Sequence, residues 1–432
     1  MLGVSTVIML DVVDHPAHRI RSVMSNALRG RRTRRAVATA VAVVGTACAD
    51  ASESARTLLE TSPPYRSVQL TEGDAESGVI RVSATAEVSL GATARGEPLA
   101  DVRSALIMGP TSIVVADAHL GVHLFDTDSD TSIRVASLGS GPGEVRSVSQ
   151  LIRTDAGFSV WDDALWRRTD FKNTGEHAAD SPVAFETLSV ASTPPMYPSS
   201  VLISRAGPVV SIMLEKSKVP EGEARYRERG EVVLFSPDFG AHEWIAGYGG
   251  PDMAWADAPW GRTPVPVPLG QTTLFAVSPV DATTCLGDTG HPEIRCVAGG
   301  RTVSFSWSAV AAVASADDPE VDAWATSVRR DYEAKLRPEE VEQLLVDVEL
   351  PVRRPYFDQL LFDATGLLWV LTTEASGDRS ARVVDPTGQL VGTVSTPEGR
   401  PLSITDNRMA TLVEDALGAP SVRLFRVDRA PR

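Results

Sequence analysis

Between Leu138 and Val148 the chain reads LGSGPGEVRSV, crowding Gly139, Gly141, Pro142, Gly143 and Glu144 together. Glycines at that density can present backbone N–H groups to a phosphate. A dinucleotide fingerprint needs glycines at the first, third and sixth positions and then a helix. Here the sixth position is Glu144 and the sequel VRSVSQLIRTDAGFSVWD reads as strand. A phosphate loop ending in Gly-Lys-Ser/Thr is also missing. The stretch is expected to turn a sharp corner between two strands, with Pro142 limiting its freedom and Glu144 accepting N–H groups inside it. A rim location keeps Gly139, Gly141, Gly143 and Glu144 as candidate ligand contacts.

Seven histidines are the next candidates for general-base or nucleophile-activating chemistry. His119 and His123 are four apart, but in a strand-turn-strand context that spacing makes no shared face. His177, His242 and His291 stand singly near turns, and no G-x-S-x-G elbow occurs. The acidic run Asp126 to Asp130 lacks an EF-hand's spacing and closing glutamate, so it reads as a solvated turn. No catalytic residue, metal site or cofactor is assigned. Cys285 and Cys296 flank a GDTGHP turn in a hairpin pattern; in an exported chain a disulfide is expected, with two free thiols as the alternative. With His291 they fall short of a zinc ligand set. Trp255 and Trp260 sit in GGPDMAWADAPWGRTPVPVP, read as a proline-rich loop. Exposed aromatics there can grip a saccharide, a peptide or a partner protein; folding down onto the body is the equal alternative.

The elements that must position these residues are strands. Helical periodicity is scarce, and a unit of strand, turn, strand, Asp-containing corner and strand recurs six times. Copies begin near Ser112, Phe158, Gly230, Ala282, Leu367 and Arg408. Corners at Asp126 and Asp170 are 44 residues apart and those at Asp385 and Asp428 are 43 apart, the length of one four-stranded propeller blade. Two insertions lengthen the middle intervals: the polar stretch Glu215 to Gly230, read as an extended hairpin tip, and Asp317 to Val348. In the second, Asp317 or Asp318 can cap a helix that places Val321, Trp324, Val328 and Leu336 roughly on one face. A ring of blades has to close, so Ser77 to Leu90 is expected to pair into the last blade.

At the N-terminus, RGRRTRR (residues 29–35) precedes the apolar run Ala36 to Ala47, which ends at Cys48. Twelve apolar residues suit a processed leader better than a membrane span. Without residues 1–47 the chain keeps 34 Lys and Arg against 54 Asp and Glu, a formal charge of about −20. Such a body is a poor partner for nucleic acid, whose binding needs clustered basic residues.

Several of these segments resemble one family. IVVADAHLGVHLFDTDSD followed by LGSGPGEV, and LLFDATGLLWV followed by RVVDPTGQLVGTVSTP, are similar to bacterial six-bladed β-propeller lipoproteins related to the NHL-repeat propellers. Their hallmark is a G-x-G-P-G-E-F corner, met here with Val145 in place of the aromatic. GTAC before and at Cys48 resembles a lipobox, with Gly45 where a leucine is usual. The resemblance implies an all-β six-bladed propeller over residues 77–432, a helical insertion at 317–348 before the fifth blade, a leader at 1–47 and a flexible linker at 48–76. It implies a lipid on Cys48 and a periplasmic or outer-membrane location, with the membrane met only through that anchor. The expected role is a monomeric binding or scaffold module for an envelope protein, peptide or saccharide. The alternative is a propeller enzyme, a metal-dependent lactone hydrolase or a lyase.

Overall fold

A computed structural model of the chain describes residues 65–70, 80–184, 196–204, 208–214, 224–236, 239–309, 311–374 and 376–430. These belong to one of the two compact units into which the chain divides; the other, Thr6–Pro64, lies outside the described residues. The leader, Cys48, most of the linker and the start of the hairpin tip expected from Glu215 lie outside them too.

Three strands come before the first full sheet: β1 (Tyr65–Leu70), β2 (Ile80–Val82) and β3 (Val88–Leu90). Six sheets of four or five strands then account for the rest. The first is β4 (Val102–Ile107), β5 (Ser112–Asp117), β6 (Gly121–Asp126) and β7 (Thr131–Ala136). The second is β8 (Val148–Arg153), β9 (Gly157–Asp162), β10 (Arg167–Lys172) and β11 (His177–Pro182). In the third, β12 (Met196–Ile203), β13 (Pro208–Leu214), β14 (Arg225–Phe235), the long β15 (His242–Ala258) and β16 (Gly261–Pro266) follow in order. The fourth comprises β17 (Thr273–Val277), β18 (Thr284–Asp288), β19 (Glu293–Ala298) and β20 (Arg301–Trp307). The fifth comprises β21 (Gln359–Phe362), β22 (Leu368–Thr373), β23 (Arg379–Val384) and β24 (Leu390–Thr396). The sixth is β25 (Arg400–Ile404), β26 (Arg408–Glu414) and β27 (Pro420–Arg429), completed by β2 and β3, which both pair antiparallel with β27.

Within each of the first, second, fifth and sixth sheets the chain runs up and down between neighbours, as short turns require. The second strands are the most buried: all six residues of β9 are buried, as are five of the six in β5. A strand covered on both faces reads as a continuous apolar run, which is why SIVVA and LWVL lack alternation. Apolar clusters join the first sheet to the second, the second to the third, the fourth to the fifth and the fifth to the sixth. Another joins the sixth back to the first through Ala410, Val422 and Leu424 against Ile113, Val115 and Phe125. Between the third and fourth sheets, Tyr248 meets Phe275 edge-on and Arg227 pairs with Asp288 at 2.5 Å.

Aspartates end the second strands and fasten the turns. Asp117 accepts N–H bonds from Ala100, Asp101, His119 and Leu120 at 2.8–3.0 Å; Asp162 accepts them from Arg146, Ser147, Ala164 and Leu165 at 2.5–3.3 Å. Each carboxylate thereby ties the start of one strand to the hairpin that follows the next.

Between the fourth and fifth sheets lie α1 (Pro319–Tyr332), capped by Asp318, and α2 (Pro338–Asp347). Their buried residues Val328, Val341 and Leu344 pack on Ala254, Ala256, Val265 and Val267 of β15 and β16, so the insertion covers the third sheet. Among the described residues no helix is long and apolar enough to cross a membrane.

Two expectations are corrected. Residues 65–70, read as flexible linker, form β1, which adds in parallel to the outer strand β20 and buries Leu70. Nothing in YRSVQL says which of six sheet edges it will join. The supposed proline-rich loop from Gly249 to Pro268 is largely the β15–β16 hairpin. Pro264 and Pro266 are tolerated because β16 is an edge strand, where a missing N–H breaks no ladder.

Candidate functional site

The glycine-rich corner connects β7 to β8 and satisfies itself. Glu144 Oε2 accepts the Gly141 N–H at 2.7 Å, and Gly139 donates to the Val145 carbonyl at 2.9 Å. A Cβ on Gly139 would come within 2.1 Å of the Glu144 carboxylate, so the glycine is what lets the side chain fold over the loop. Arg167 supports the corner from β10, donating to the carbonyls of Ser140, Gly141 and Glu144. Gly143, at φ +70°, donates to Asp180, which also bonds Thr169 and pairs with His177 at 3.3 Å. Burial opposes the Asp180 charge, but these bonds and the charges of Arg167 and His177 outweigh it and lower its pKa.

Trp255 lies on β15, stacked on Tyr226 at 5.1 Å with Arg262 above it at 5.5 Å. Trp260 occupies the hairpin turn, 55% exposed, with its indole N–H on Thr263 Oγ1 at 2.8 Å. No hydrogen bond, ion pair or ring contact among the described residues links this hairpin to the glycine corner. Cys285 and Cys296 face each other across β18 and β19 and are joined in a disulfide, their Cα atoms 4.0 Å apart. No three His, Cys, Asp or Glu side chains among the described residues form a metal-binding group.

A cluster of charges at the start of α1 was not anticipated. Arg354 is buried and forks between Asp318, the α1 cap, and Glu320, whose Oε1 lies 2.8 Å from Nη2. A second, half-buried pair sits beside it. Arg379, at the start of β23, donates to Asp358 at 2.5 Å and to the Gly399 carbonyl at 3.1 Å. Burial pushes the Glu320 carboxyl up to about 7, against the pull of Arg354 and with Asp358 and Asp318 adding repulsion.

The start of β25 is where three sheets meet this cluster. Arg379 grips Gly399, the Gln359 amide donates to the Pro401 carbonyl at 2.7 Å, and the Ile107 N–H of β4 reaches Ser403 Oγ at 3.3 Å. Arg400 stands in the middle of these contacts. Its own guanidinium has neither hydrogen bond nor ion pair among the described residues. Burial, with repulsion from Arg379 and Arg103, lowers its pKa, and Glu414 alone favours its charge. Elsewhere, burial lifts Asp163 to about 6, partly offset by the Trp161 indole N–H at 2.7 Å.

Sequence reasoning missed Glu320, Arg354, Arg379 and Arg400 because the partners are far apart in the chain: Arg354 is 36 residues from Asp318. The DDPE stretch at 317–320 was legible only as a helix start.

No family model matches the chain, and no curated protein matches it. Among solved structures it is similar to a Bacteroides fragilis protein provisionally named as exported. That match has a TM-score of 0.44 and 11% identity, covering 85% of this chain and 100% of the other. A member of the duf4221 family from Bacteroides vulgatus gives 0.42 and 8%, covering 82% and 100%. A Bacteroides thetaiotaomicron protein of unknown function gives 0.37 and 8%, covering 82% and 73%. At these values the likeness fixes neither a sheet number nor an activity.

Proposed function

We propose that the six sheets are the blades of a six-bladed β-propeller and that the chain is an exported binding module of the bacterial envelope, anchored by a lipid on Cys48. Support for the architecture comes from sheets that pack in chain order, with the sixth meeting the first through β2, β3 and β27. The basic run, the apolar run and Cys48 support export.

The binding role rests on one observation: Glu320, Arg354, Asp358, Arg379 and Arg400 are gathered at one end of the fifth and sixth sheets. Arg354 is buried and the other four are half-buried; charges withdrawn from water in this way cost desolvation that their pairing need not return, so stability alone does not account for the cluster. Trp260, exposed on its hairpin, is the best-placed of the two tryptophans to meet a protein partner.

Cell fractionation tests the reading. Wild-type protein is expected in the membrane fraction and Cys48→Ser in the soluble periplasm. Recovery of wild-type protein from the cytoplasm would overturn it. Crosslinking on intact envelopes is expected to capture a partner less well with Trp260→Ala.

A further inference from the structure

We propose that strand β20, the outer edge of the fourth sheet, is a docking site for an extended peptide segment of a partner protein, and that residues 65–70 occupy it in cis until such a segment displaces them. This goes beyond the binding-module reading, since it uses neither the charged cluster nor Trp260.

The edge itself is open to pairing. A sheet edge offers N–H and C=O groups to any extended chain, and folds guard it with prolines, charges, bulges or a covering strand. The last strand of every other sheet is guarded in this way. β7 and β24 meet their neighbours through a register shift, β11 combines a shift with Asp180 and Pro182, and β16 holds Pro264 and Pro266. β27 is covered by β2 and β3. β20 lacks these devices: TVSFSW, Thr302 to Trp307, contains neither proline nor charge, and its ladder to β19 runs without a shift. What closes it is β1.

β1 is held lightly. It joins β20 in parallel, whereas β17 to β20 run antiparallel to one another, and Gln69 lies 237 residues before the Ser306 hydroxyl it accepts, so no hairpin turn pins it. Beyond its ladder, Leu70 shares the core with Phe305 and Trp307, and Val68 rests on the turn between β23 and β24, 3.5 Å from where a Cβ on Gly388 would lie. Ser67 and Gln69 are exposed. Two aliphatic side chains and a short ladder offset the ordering of the six residues with little to spare. β1 can therefore open while the rest of the sheet stays paired. A segment from another chain makes the same ladder. One with aliphatic residues at the two inward positions, no proline and no inward charge competes for the edge, recognised by backbone pairing and alternate side chains.

Two measurements on the full chain test this, with a synthetic YRSVQL peptide as the probe. In native-state hydrogen exchange of the wild type, the ladder-bonded amides of β1 are expected to open at least about tenfold more often than those of β18 and β19. Excess peptide is expected to speed their exchange further while β20 stays protected. In fluorescence anisotropy, the labelled peptide is expected to bind the Val68→Asp, Leu70→Asp double variant, whose own strand cannot seat, at least about tenfold more tightly than wild type, where the tethered strand competes at high effective concentration. A peptide with aspartate at its valine and leucine positions is expected to bind neither. Should the double variant fail to fold, the exchange of wild type with and without peptide decides. The proposal falls if the β1 amides open only together with β18 and β19, if peptide leaves their exchange unchanged, if the folded double variant binds no better than wild type, or if the aspartate peptide binds equally well. Trp260→Ala is expected to leave peptide binding unchanged, so this site and the crosslinking result for Trp260 stand or fall separately.

Discussion

Asp363 is fully buried, and its carboxylate accepts five hydrogen bonds. Oδ1 takes the Thr365 and Leu367 N–H groups and the Thr365 hydroxyl; Oδ2 takes the Trp369 indole at 3.0 Å and Arg429 at 2.6 Å. Asp363→Ala leaves the buried Trp369 indole N–H unpaired and takes the carboxylate from Arg429, so it is expected to cost about 3–5 kcal/mol, read as a lower urea midpoint at constant m-value. Glu320 carries the opposite sign. Its folded pKa of about 7 lies above the unfolded value of 4.5, so the folded state holds the proton more tightly. Its contribution is most favourable below pH 4.5 and is lost as pH rises through about 7, a swing of at most about 3 kcal/mol. Asp163 acts in the same direction, over a window ending near pH 6. Comparing unfolding of wild type with Glu320→Gln between pH 4.5 and 8 isolates the effect. Glu320→Gln should lose less stability on going to pH 8, and equal slopes would show that burial does not perturb the group. Asp363 lies in the LLFDATGLLWV stretch and takes local N–H partners that follow it in sequence, but it was not singled out as a corner there. Glu320 was not legible, since its pKa is set first by burial and then by Arg354 and Asp358, more than 30 residues away.

At the scale of elements, the glycine corner and the cross-strand disulfide were readable because both are local. Gly139, Gly141 and Glu144 meet within six residues, and Cys285 and Cys296 are separated by 11; the tie from Gly143 to Asp180, 37 residues away, was not readable. The corner makes a sharp prediction about coupling. Gly139→Ala and Glu144→Ala break the same carboxylate-over-loop contact, one by steric displacement and the other by removal. Each is expected to cost about 1–2 kcal/mol and the double variant clearly less than their sum. Additive costs in denaturant unfolding would mean that Glu144 does not fasten this loop. For the disulfide, closing a short hairpin restricts the unfolded chain, so Cys285→Ala with Cys296→Ala is expected to lose about 2–4 kcal/mol. What stayed hidden was the destination of each element. The amphipathic face of α1 was visible in Trp324 and Val328, yet its docking on the third sheet depends on the length of β15, which the prolines and glycines of 249–268 disguised as a loop.

For the molecule as a whole, the sixth sheet draws on both ends of the described chain. β27 ends at Arg429, and its free edge is covered by β2 at residues 427–429 and by β3 at residues 422–424. Ile80 belongs to the core shared with the fifth sheet and Leu90 to the core shared with the first, so the early segment seals two interfaces at once. A mature chain starting at residue 91 would lose both buried side chains and expose a long apolar strand edge. Beginning instead at residue 72 would remove only β1, an addition to the outer edge of the fourth sheet. The first truncation is expected to cost about 5 kcal/mol or more, a large part of a typical folding free energy, and to produce aggregates in size-exclusion chromatography. The second is expected to remain monomeric, with Tm lowered by a few degrees. The ranking is the discriminating result: should the chain from residue 91 melt like the chain from residue 72, the pairing of β2 and β3 with β27 would be incidental, and the ring reading of the six sheets would lose its closing joint.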